Sequence, residues 1–159
     1  MKDSKVDGFM REALRLAAES ARSGRGGPFA ALVVKDGEVL GRGCNEVTTL
    51  KDPTAHAEVL AIREACRRLG TFRLGGCEIY CSSEPCPMCL GAIYWARLDR
   101  IFYANDRVKA AAAGFDDAFI YAEIARPSEG RQLPTHRVEI DGQQDAFAVW
   151  EGLEDRVDY

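Results

Sequence analysis

The sequence predicts a layered α/β domain with a mixed sheet. Short apolar runs of strand length alternate along the chain with segments of helical periodicity, which is typical of α/β folds. In addition, an Asp-Gly pair at 36–37 separates two apolar runs, and this pattern strongly indicates a hairpin of antiparallel strands. A chain of 159 residues is long enough to bury one core. We therefore expect residues 1–159 to form a single domain.

The N-terminal half contains two predicted helices and two predicted strands. Residues 6–23 place apolar side chains at helical spacing until a glycine-rich stretch ends the pattern. The runs "PFAALVV" and "EVLGRGC" flank the Asp-Gly pair and are the strands of the hairpin. A second helix is predicted over 54–70, with Thr54 as its candidate N-cap.

The C-terminal half continues the alternation of strands and helices. In chain order we predict a strand at 77–82, a core helix at 88–97, a strand at 100–104, a short helix at 118–125, an edge strand at 136–140 and an amphipathic helix at 145–153. With the hairpin, these segments amount to a roughly five-stranded sheet.

Charge and hydropathy narrow the classes of function. The net charge of −4 at pH 7 lacks the positive footprint of a protein that binds many phosphates, so a nucleic-acid partner is not expected. No stretch approaches the roughly 20 apolar residues that a bilayer span needs, and the N-terminal residues mix charges with apolar side chains. The expected location is therefore the cytoplasm, without membrane attachment.

Two cysteines form the first chemical motif. Cys86 and Cys89 are three positions apart, which on a helix places both sulfur atoms on one face. Pro85 and Pro87 favour a helix start at this point, where backbone N–H groups and the helix dipole stabilise thiolates, the form that binds metal. The pair alone is ambiguous, because redox centres and structural zinc sites use the same spacing.

His56 favours a catalytic zinc site. One imidazole and two thiolates give zinc three protein ligands and leave a fourth position open. A structural site would need a fourth protein ligand, for which the sequence offers Cys81, Cys77 or Cys44. These three cysteines and Cys66 lie in strand-like or helical core patterns, so we interpret all of them as packing residues.

Glu58 follows His56 by two positions in the opening turn of the predicted helix. On a regular helix such residues point about 200° apart, so Glu58 is poorly placed to share a metal with His56. A carboxylate beside the metal can instead carry protons between water and a leaving nitrogen. The simpler alternative is an acid that suits the helix dipole. The neighbouring His and Cys pair favours the proton carrier.

The pattern His-x-Glu followed by Pro-Cys-x-x-Cys matches the signature of zinc nucleobase deaminases. The chain resembles the cytidine and deoxycytidylate deaminase superfamily over almost its whole length, and within it the small bacterial guanine deaminases. The narrower resemblance is carried by "GGPF", "DPTAHAEV" and "GFDD". It implies a three-layer α/β/α fold and the hydrolytic deamination of guanine to xanthine and ammonia. It also implies Zn²⁺ bound by His56, Cys86 and Cys89, with Glu58 as the proton shuttle.

The resemblance further implies residues that contact a purine. Phe29 would stack on the base, Asn45 would hydrogen-bond to it, and the main chain of Ala57 would lie nearby; a phenyl face and an amide suit these roles. Asp117 would be a second proton carrier. The alternatives are a core residue for Phe29, a turn former for Asn45 and a helix cap for Asp117.

The resemblance also implies a homodimer whose C-terminal segments are exchanged, which would bring Tyr159 into the partner's site. A frayed terminus is the alternative for Tyr159. We interpret Glu84 as a solvated loop acid or an organiser of the zinc loop, and His136 as a structural or surface residue.

Two departures from the family pattern leave the substrate less defined than the reaction. Ala30 replaces a glycine that is common after the phenylalanine of "GGPF", and Ser83 stands where a cysteine is frequent. The alternatives within the superfamily are a tRNA adenosine deaminase and a deaminase of guanosine or aminotriazines. A structural zinc module that binds a partner without turnover is the alternative outside enzymes.

Overall fold

The computed structural model describes residues 4–140, 142 and 145–159. The chain divides into two compact units, Met1–Asp117 and Ala118–Tyr159, which we call the N-terminal unit and the C-terminal unit. The elements of the N-terminal unit, in chain order, are α1 (Ser4–Ser23), β1 (Ala30–Lys35), β2 (Glu38–Cys44), α2 (Val47–Leu50), α3 (Ala57–Leu69), β3 (Glu78–Ser83), α4 (Pro87–Trp95), β4 (Arg100–Asn105) and α5 (Arg107–Ala112).

The N-terminal unit is built on a four-stranded mixed sheet in the order β2-β1-β3-β4. The β1–β2 and β1–β3 pairs are antiparallel, and the β3–β4 pair is parallel. The predicted hairpin is confirmed: Lys35 pairs with Glu38, and the two turn residues Asp36 and Gly37 have φ values of 51° and 81°. Positive φ at both central residues is the geometry that twists with the flanking strands.

Helices cover both faces of this sheet, which confirms the predicted three-layer α/β/α fold. Alternate residues of β1 and β3 face opposite sides, as the two-residue period of a strand requires. On one face, side chains of α3 and α4 pack in a buried cluster with Ala31, Val33 and Ile79. On the other face, α1 packs over Leu32 and Tyr80.

Two glycines of β2 allow α3 to lie directly on the sheet. A Cβ atom at Gly41 would lie 2.2 Å from the Ala61 carbonyl oxygen, and one at Gly43 would lie 2.0 Å from the Ala57 carbonyl oxygen. Real Cβ atoms do not approach other atoms so closely. Glycine at both positions therefore sets the distance between β2 and the first turns of α3.

The prediction for the start of the second helix was wrong by two residues. The N-cap of α3 is His56, with φ −74° and ψ 153°, and not Thr54. The Thr54 hydroxyl instead donates to the Asp52 carboxylate at 2.7 Å, which closes a turn ahead of the helix. The short helices α2 and α5 were not predicted, because each is too short to establish an apolar period.

Among its described residues the C-terminal unit contains two α-helices, α6 (Ala118–Ile124) and α7 (Ala146–Glu151), and a short 3-10 turn at Ser128–Gly130. Both predicted helices are confirmed. The predicted edge strand at 136–140 is wrong, since these residues form no regular secondary structure. A strand needs a neighbour to pair with, and the described part of this unit otherwise forms helices and turns. No helix in the described ranges combines the length and hydropathy that crossing a membrane requires.

Candidate active site

Two helix N-termini of the N-terminal unit carry the predicted metal ligands. His56 is the N-cap of α3, and Cys86 is the N-cap of α4, with Pro87 at the first helical position. Proline suits this position because it has no N–H to lose and its φ is already helical. Cys89 follows in the first turn of α4 and is fully buried. The ligands are thus positioned by short stretches of backbone with defined geometry.

The separations between these side chains fit a tetrahedral zinc site. Both sulfur atoms, Cys86 Sγ and Cys89 Sγ, lie 3.5 Å from His56 Nδ1. Zinc bonds of roughly 2.3 Å to sulfur and 2.0 Å to nitrogen at tetrahedral angles would separate a sulfur ligand from a nitrogen ligand by about 3.5 Å. Among the described residues, the group of mutually close metal-binding atoms comprises these three residues, without Cys81. Cys81 is fully buried in the core cluster, as expected for a packing residue.

The electrostatics of the site favour a thiolate at Cys86. Hydrogen bonds from Cys89 and His56 lower the pKa of Cys86 to about 4, although partial burial acts in the opposite direction. The hydrogen bond to Cys86 raises the pKa of Cys89, and burial raises it further. The hydrogen bond between His56 and Cys86 raises the pKa of His56. One thiolate stabilised by two donors is a suitable starting point for metal binding, which requires deprotonated sulfur.

Glu58 lies next to the three potential ligands but outside their group. Its Oε2 atom accepts a hydrogen bond from Cys89 Sγ at 3.3 Å, and only 7% of the residue is exposed. Burial raises the pKa of the Glu58 carboxyl group. A buried carboxyl with a raised pKa exchanges protons more readily near neutral pH than a solvated one. Its arrangement therefore suits proton transfer beside a metal.

Asn45 joins the loop that precedes β1 to the first residue of α2. Its Oδ1 atom accepts hydrogen bonds from the backbone N–H groups of Gly27 at 3.1 Å and Val47 at 3.3 Å. Its own N–H donates to the Phe29 carbonyl at 3.0 Å. Because Oδ1 is occupied by two donors, the amide orientation is fixed and the Nδ2 group points away from them. Among the described residues the NH₂ group of Asn45 has no hydrogen-bond partner, so Asn45 combines the predicted turn role with a donor that a ligand could use.

Phe29 is half-buried and packs against the core cluster that contains Ala57. Its ring meets the Phe115 ring edge to face, with centroids 4.8 Å apart and planes at 86°. Gly27 is the close neighbour of this pair, since a Cβ atom there would lie 3.1 Å from the Phe29 ring. The sequence singled out Phe29 but not Phe115, although Phe115 belongs to the "GFDD" segment. An aromatic beside two acids was the signal that could have identified it.

Asp117 ends the N-terminal unit and lies within electrostatic reach of the cysteine site. Burial raises its pKa, and the negative charge of Cys86 adds to the effect. Glu84 is more than a solvated loop acid: its Oε2 atom accepts from the Arg107 backbone N–H at 3.1 Å and so links the end of β3 to the start of α5. The sequence did not identify this link.

Tyr159 and His136 belong to the C-terminal unit. Tyr159 is 71% exposed, and His136 lies in an exposed segment without regular structure. His136 is not in the group of close metal-binding side chains found among the described residues. The role of Tyr159 stays a prediction, as do the roles of Phe29, Asn45, Ala57 and Asp117 toward a substrate.

Comparisons with known proteins agree with this geometry. Residues 3–105 match the family described as the cytidine and deoxycytidylate deaminase zinc-binding region. The chain is 50% identical to a guanine deaminase of Bacillus subtilis (strain 168) over 151 residues, which is 95% of this chain and 97% of that protein. It is also 47% identical over 96 residues to a tRNA-specific adenosine deaminase of Aquifex aeolicus, covering 60% of this chain and 63% of the other.

Comparison with solved structures also finds a guanine deaminase. The X-ray structure of guanine deaminase from Bacillus subtilis superposes with a TM-score of 0.93 and covers 96% of this chain and 98% of that chain. The match to the adenosine deaminase stops short of the chain ends, whereas the match to the guanine deaminase includes nearly all of both proteins. The chain belongs to the cytidine and deoxycytidylate deaminase superfamily, in the family of the guanine deaminases.

Proposed function

We propose that this protein deaminates guanine by hydrolysis, with guanine and water giving xanthine and ammonia. The observation that carries the proposal is the set of His56, Cys86 and Cys89 at zinc-binding separations with the buried Glu58 carboxyl in contact with Cys89. The similarity to a guanine deaminase over 95% of the chain supports guanine as the base. A deaminase needs both parts, an activated water and a group that moves protons.

Zinc held by His56, Cys86 and Cys89 would act as a Lewis acid that activates water for attack on the amine-bearing carbon. Glu58 would take a proton from the attacking water and return protons to the ring nitrogen and the leaving amine. Its burial supports this assignment because a carboxyl group removed from solvent can alternate between the acid and the base. In our proposal Asp117 assists at the leaving amine.

The orientation of the Asn45 amide supports recognition of a 6-oxopurine. With Oδ1 bound to Gly27 and Val47, the group that can face a substrate is the Nδ2 donor. Guanine presents the acceptors O6 and N7 on one edge, whereas adenine carries an amino group in place of O6. A fixed donor that faces the O6 position would therefore favour guanine over adenine. Phe29 would stack on the ring, and the Ala57 backbone at the start of α3 would lie beside it.

The proposed activity is tested by ammonia release from zinc-loaded protein. The panel contains guanine, guanosine, adenine, cytosine, an aminotriazine and a tRNA with a target adenosine. We expect kcat/KM for guanine to exceed that for adenine by at least about 100-fold, since a wrongly paired buried donor penalises the competitor. Release from tRNA alone would favour the adenosine deaminase that the 96-residue match suggests. No release from any compound would favour the structural zinc module.

We also propose that two copies form a dimer by exchanging their C-terminal units. Many large apolar side chains of this unit are exposed in the single chain, with Phe147 at 80%, Leu133 at 78% and Val138 at 74%. Exposure of so many apolar residues is unfavourable in water and is typical of an interaction surface. The unpaired segment at 136–140 would gain a neighbour in such an assembly. In this proposal residues 1–159 act as a single deaminase domain, and both units of the chain are needed for activity.

The exchange predicts complementation between two inactive variants. Light scattering should give about twice the 17.5 kDa chain mass. A Glu58→Gln chain and a Tyr159→Ala chain, each inactive alone, should regain activity when co-expressed with different tags. In an exchanged dimer, the intact Tyr159 of the first chain would complete the site that holds the intact Glu58 of the second. A monomer, or a dimer without regained activity, would contradict the exchange.

The cytoplasm remains our proposal for the location of the protein. All six cysteines are free thiols. Unpaired thiols, including two proposed zinc ligands, suit a reducing compartment.

A further inference from the structure

The hydroxyl group of Ser82, at the end of β3, accepts a hydrogen bond from the backbone N–H of Ala30 at 3.0 Å. Both residues are buried, each with 1% exposed. Backbone pairing between β1 and β3 ends at Ala31 and Cys81, so the Ser82 side chain extends the link between the strands by one residue. Ala30 directly follows Phe29. The Ser82 hydroxyl therefore fixes the backbone next to the Phe29 ring.

Asn105 of β4 holds the Ser82 segment from the other side. Its Nδ2 atom donates to the Ser82 carbonyl at 2.9 Å, and its carbonyl accepts from the Glu84 N–H at 2.8 Å. Lys109 Nζ donates to Asn105 Oδ1 at 2.7 Å, which fixes the orientation of the amide. These side-chain and backbone hydrogen bonds tie residues 82–84 to β4 and to β1, in addition to the ladder pairing of Ser83 with Asn105.

These contacts constrain Phe29 on both sides of its backbone. Its carbonyl group accepts from the Asn45 N–H at 3.0 Å, and its own N–H donates to Gly27 at 2.8 Å. The next N–H group, that of Ala30, is held by Ser82. Loss of the Ser82 hydroxyl would leave the buried Ala30 N–H group without a partner. The backbone on the C-terminal side of Phe29 would then no longer be held.

We infer that Ser82 is a positioning residue for purine binding, which acts through the Ala30 N–H to hold the Phe29 ring in its stacking orientation. This inference builds on the proposed function, because it takes Phe29 as a contact of the base. Ser82 is bonded to backbone rather than to Glu58 or the metal ligands. Its removal should therefore weaken base binding while leaving the chemical step intact.

The test compares Ser82→Ala with Ser83→Ala. Ser83 is the adjacent residue and is also buried, at 8% exposed, but in the described structure its hydroxyl makes no hydrogen bond. Ser82→Ala is expected to raise KM for guanine about tenfold and to weaken xanthine binding in calorimetry by a similar factor, with kcat within about twofold. Ser83→Ala should leave KM within about twofold. Both should keep full zinc content.

Asn105→Asp serves as a second variant if Ser82→Ala does not fold. It removes the donor to Ser82 but can still pair with Lys109, and it should raise KM in the same direction. Equal KM values in the Ser82 and Ser83 variants, or a fall in kcat at unchanged KM, would overturn the positioning role. Guanine turnover by the wild-type protein distinguishes a failure of the Ser82 inference from a failure of the proposed function, since absence of this turnover would overturn the proposed function itself.

Discussion

Replacing Glu58 by glutamine is expected to abolish deamination while zinc stays bound. The amide has nearly the same shape as the carboxylate but cannot take a proton from water or deliver one to a leaving amine. General acid–base catalysis contributes about 10²- to 10⁴-fold, and Glu58 is proposed to act at several proton transfers, so kcat should fall by about 10³-fold or more. The measurement is ammonia release at saturating guanine, with zinc content determined on the same sample.

A matched control lies on the same helix. Glu64 of α3 is exposed, and its carboxylate accepts from the Arg42 backbone N–H. Glu64→Gln makes the same change in charge, keeps an acceptor for Arg42 and should leave kcat within about twofold. Loss of zinc from a folded Glu58→Gln protein would mean that Glu58 is a ligand. Retained activity would mean that another group carries the protons.

The potential metal site could be predicted because its signals are local in sequence. Cys86 and Cys89 are joined by one turn of helix, and the prolines mark where that helix begins. The i, i+2 spacing of His56 and Glu58 indicated that they would not share a metal through side-by-side positions. In the structure His56 is the N-cap of α3 rather than a helical residue, and Glu58 contacts Cys89 and lies outside the group of three potential ligands.

The contacts that support the site could not be predicted in the same way. The hydrogen bonds of Ser82 with Ala30 and Asn105 join three strands, and they depend on a sheet register that a shift of one residue would destroy. Polar residues at strand ends carry no sign of which partner they meet. The same reason hid the role of Glu84, whose partner is a backbone N–H of α5.

The segment at 136–140 shows that an alternating sequence is not sufficient to form a strand. Its alternating sequence is compatible with a strand, but pairing requires a neighbour, and its own unit supplies helices. The exposed Val138 and Ile140 side chains are what an unpaired strand-like segment leaves in water. The sequence pattern can thus predict a strand that would pair only with a second chain, as in our proposal of exchanged C-terminal units.

Replacing Gly43 by alanine is expected to disrupt the site from a position outside it. The new Cβ atom would lie 2.0 Å from the Ala57 carbonyl oxygen and 2.7 Å from the Ala61 amide nitrogen. Both are backbone atoms, so α3 as a whole must move away from β2. That helix carries His56 at its N-cap and Glu58 in its first turn. Displacements of about 1 Å can cost about 10²-fold in rate, and overpacking costs about 1–3 kcal/mol of stability.

Gly8 of α1 provides the matched control for this substitution. A Cβ atom there meets nothing within 4 Å, so Gly8→Ala should preserve zinc binding and raise the free energy of unfolding by up to about 1 kcal/mol. For Gly43→Ala we expect lower zinc content, a lower Tm and a reduction in kcat/KM of about 10²-fold. A Gly43→Ala protein with full zinc content and normal kcat/KM would show that the close packing of α3 on β2 does not set the positions of His56 and Glu58.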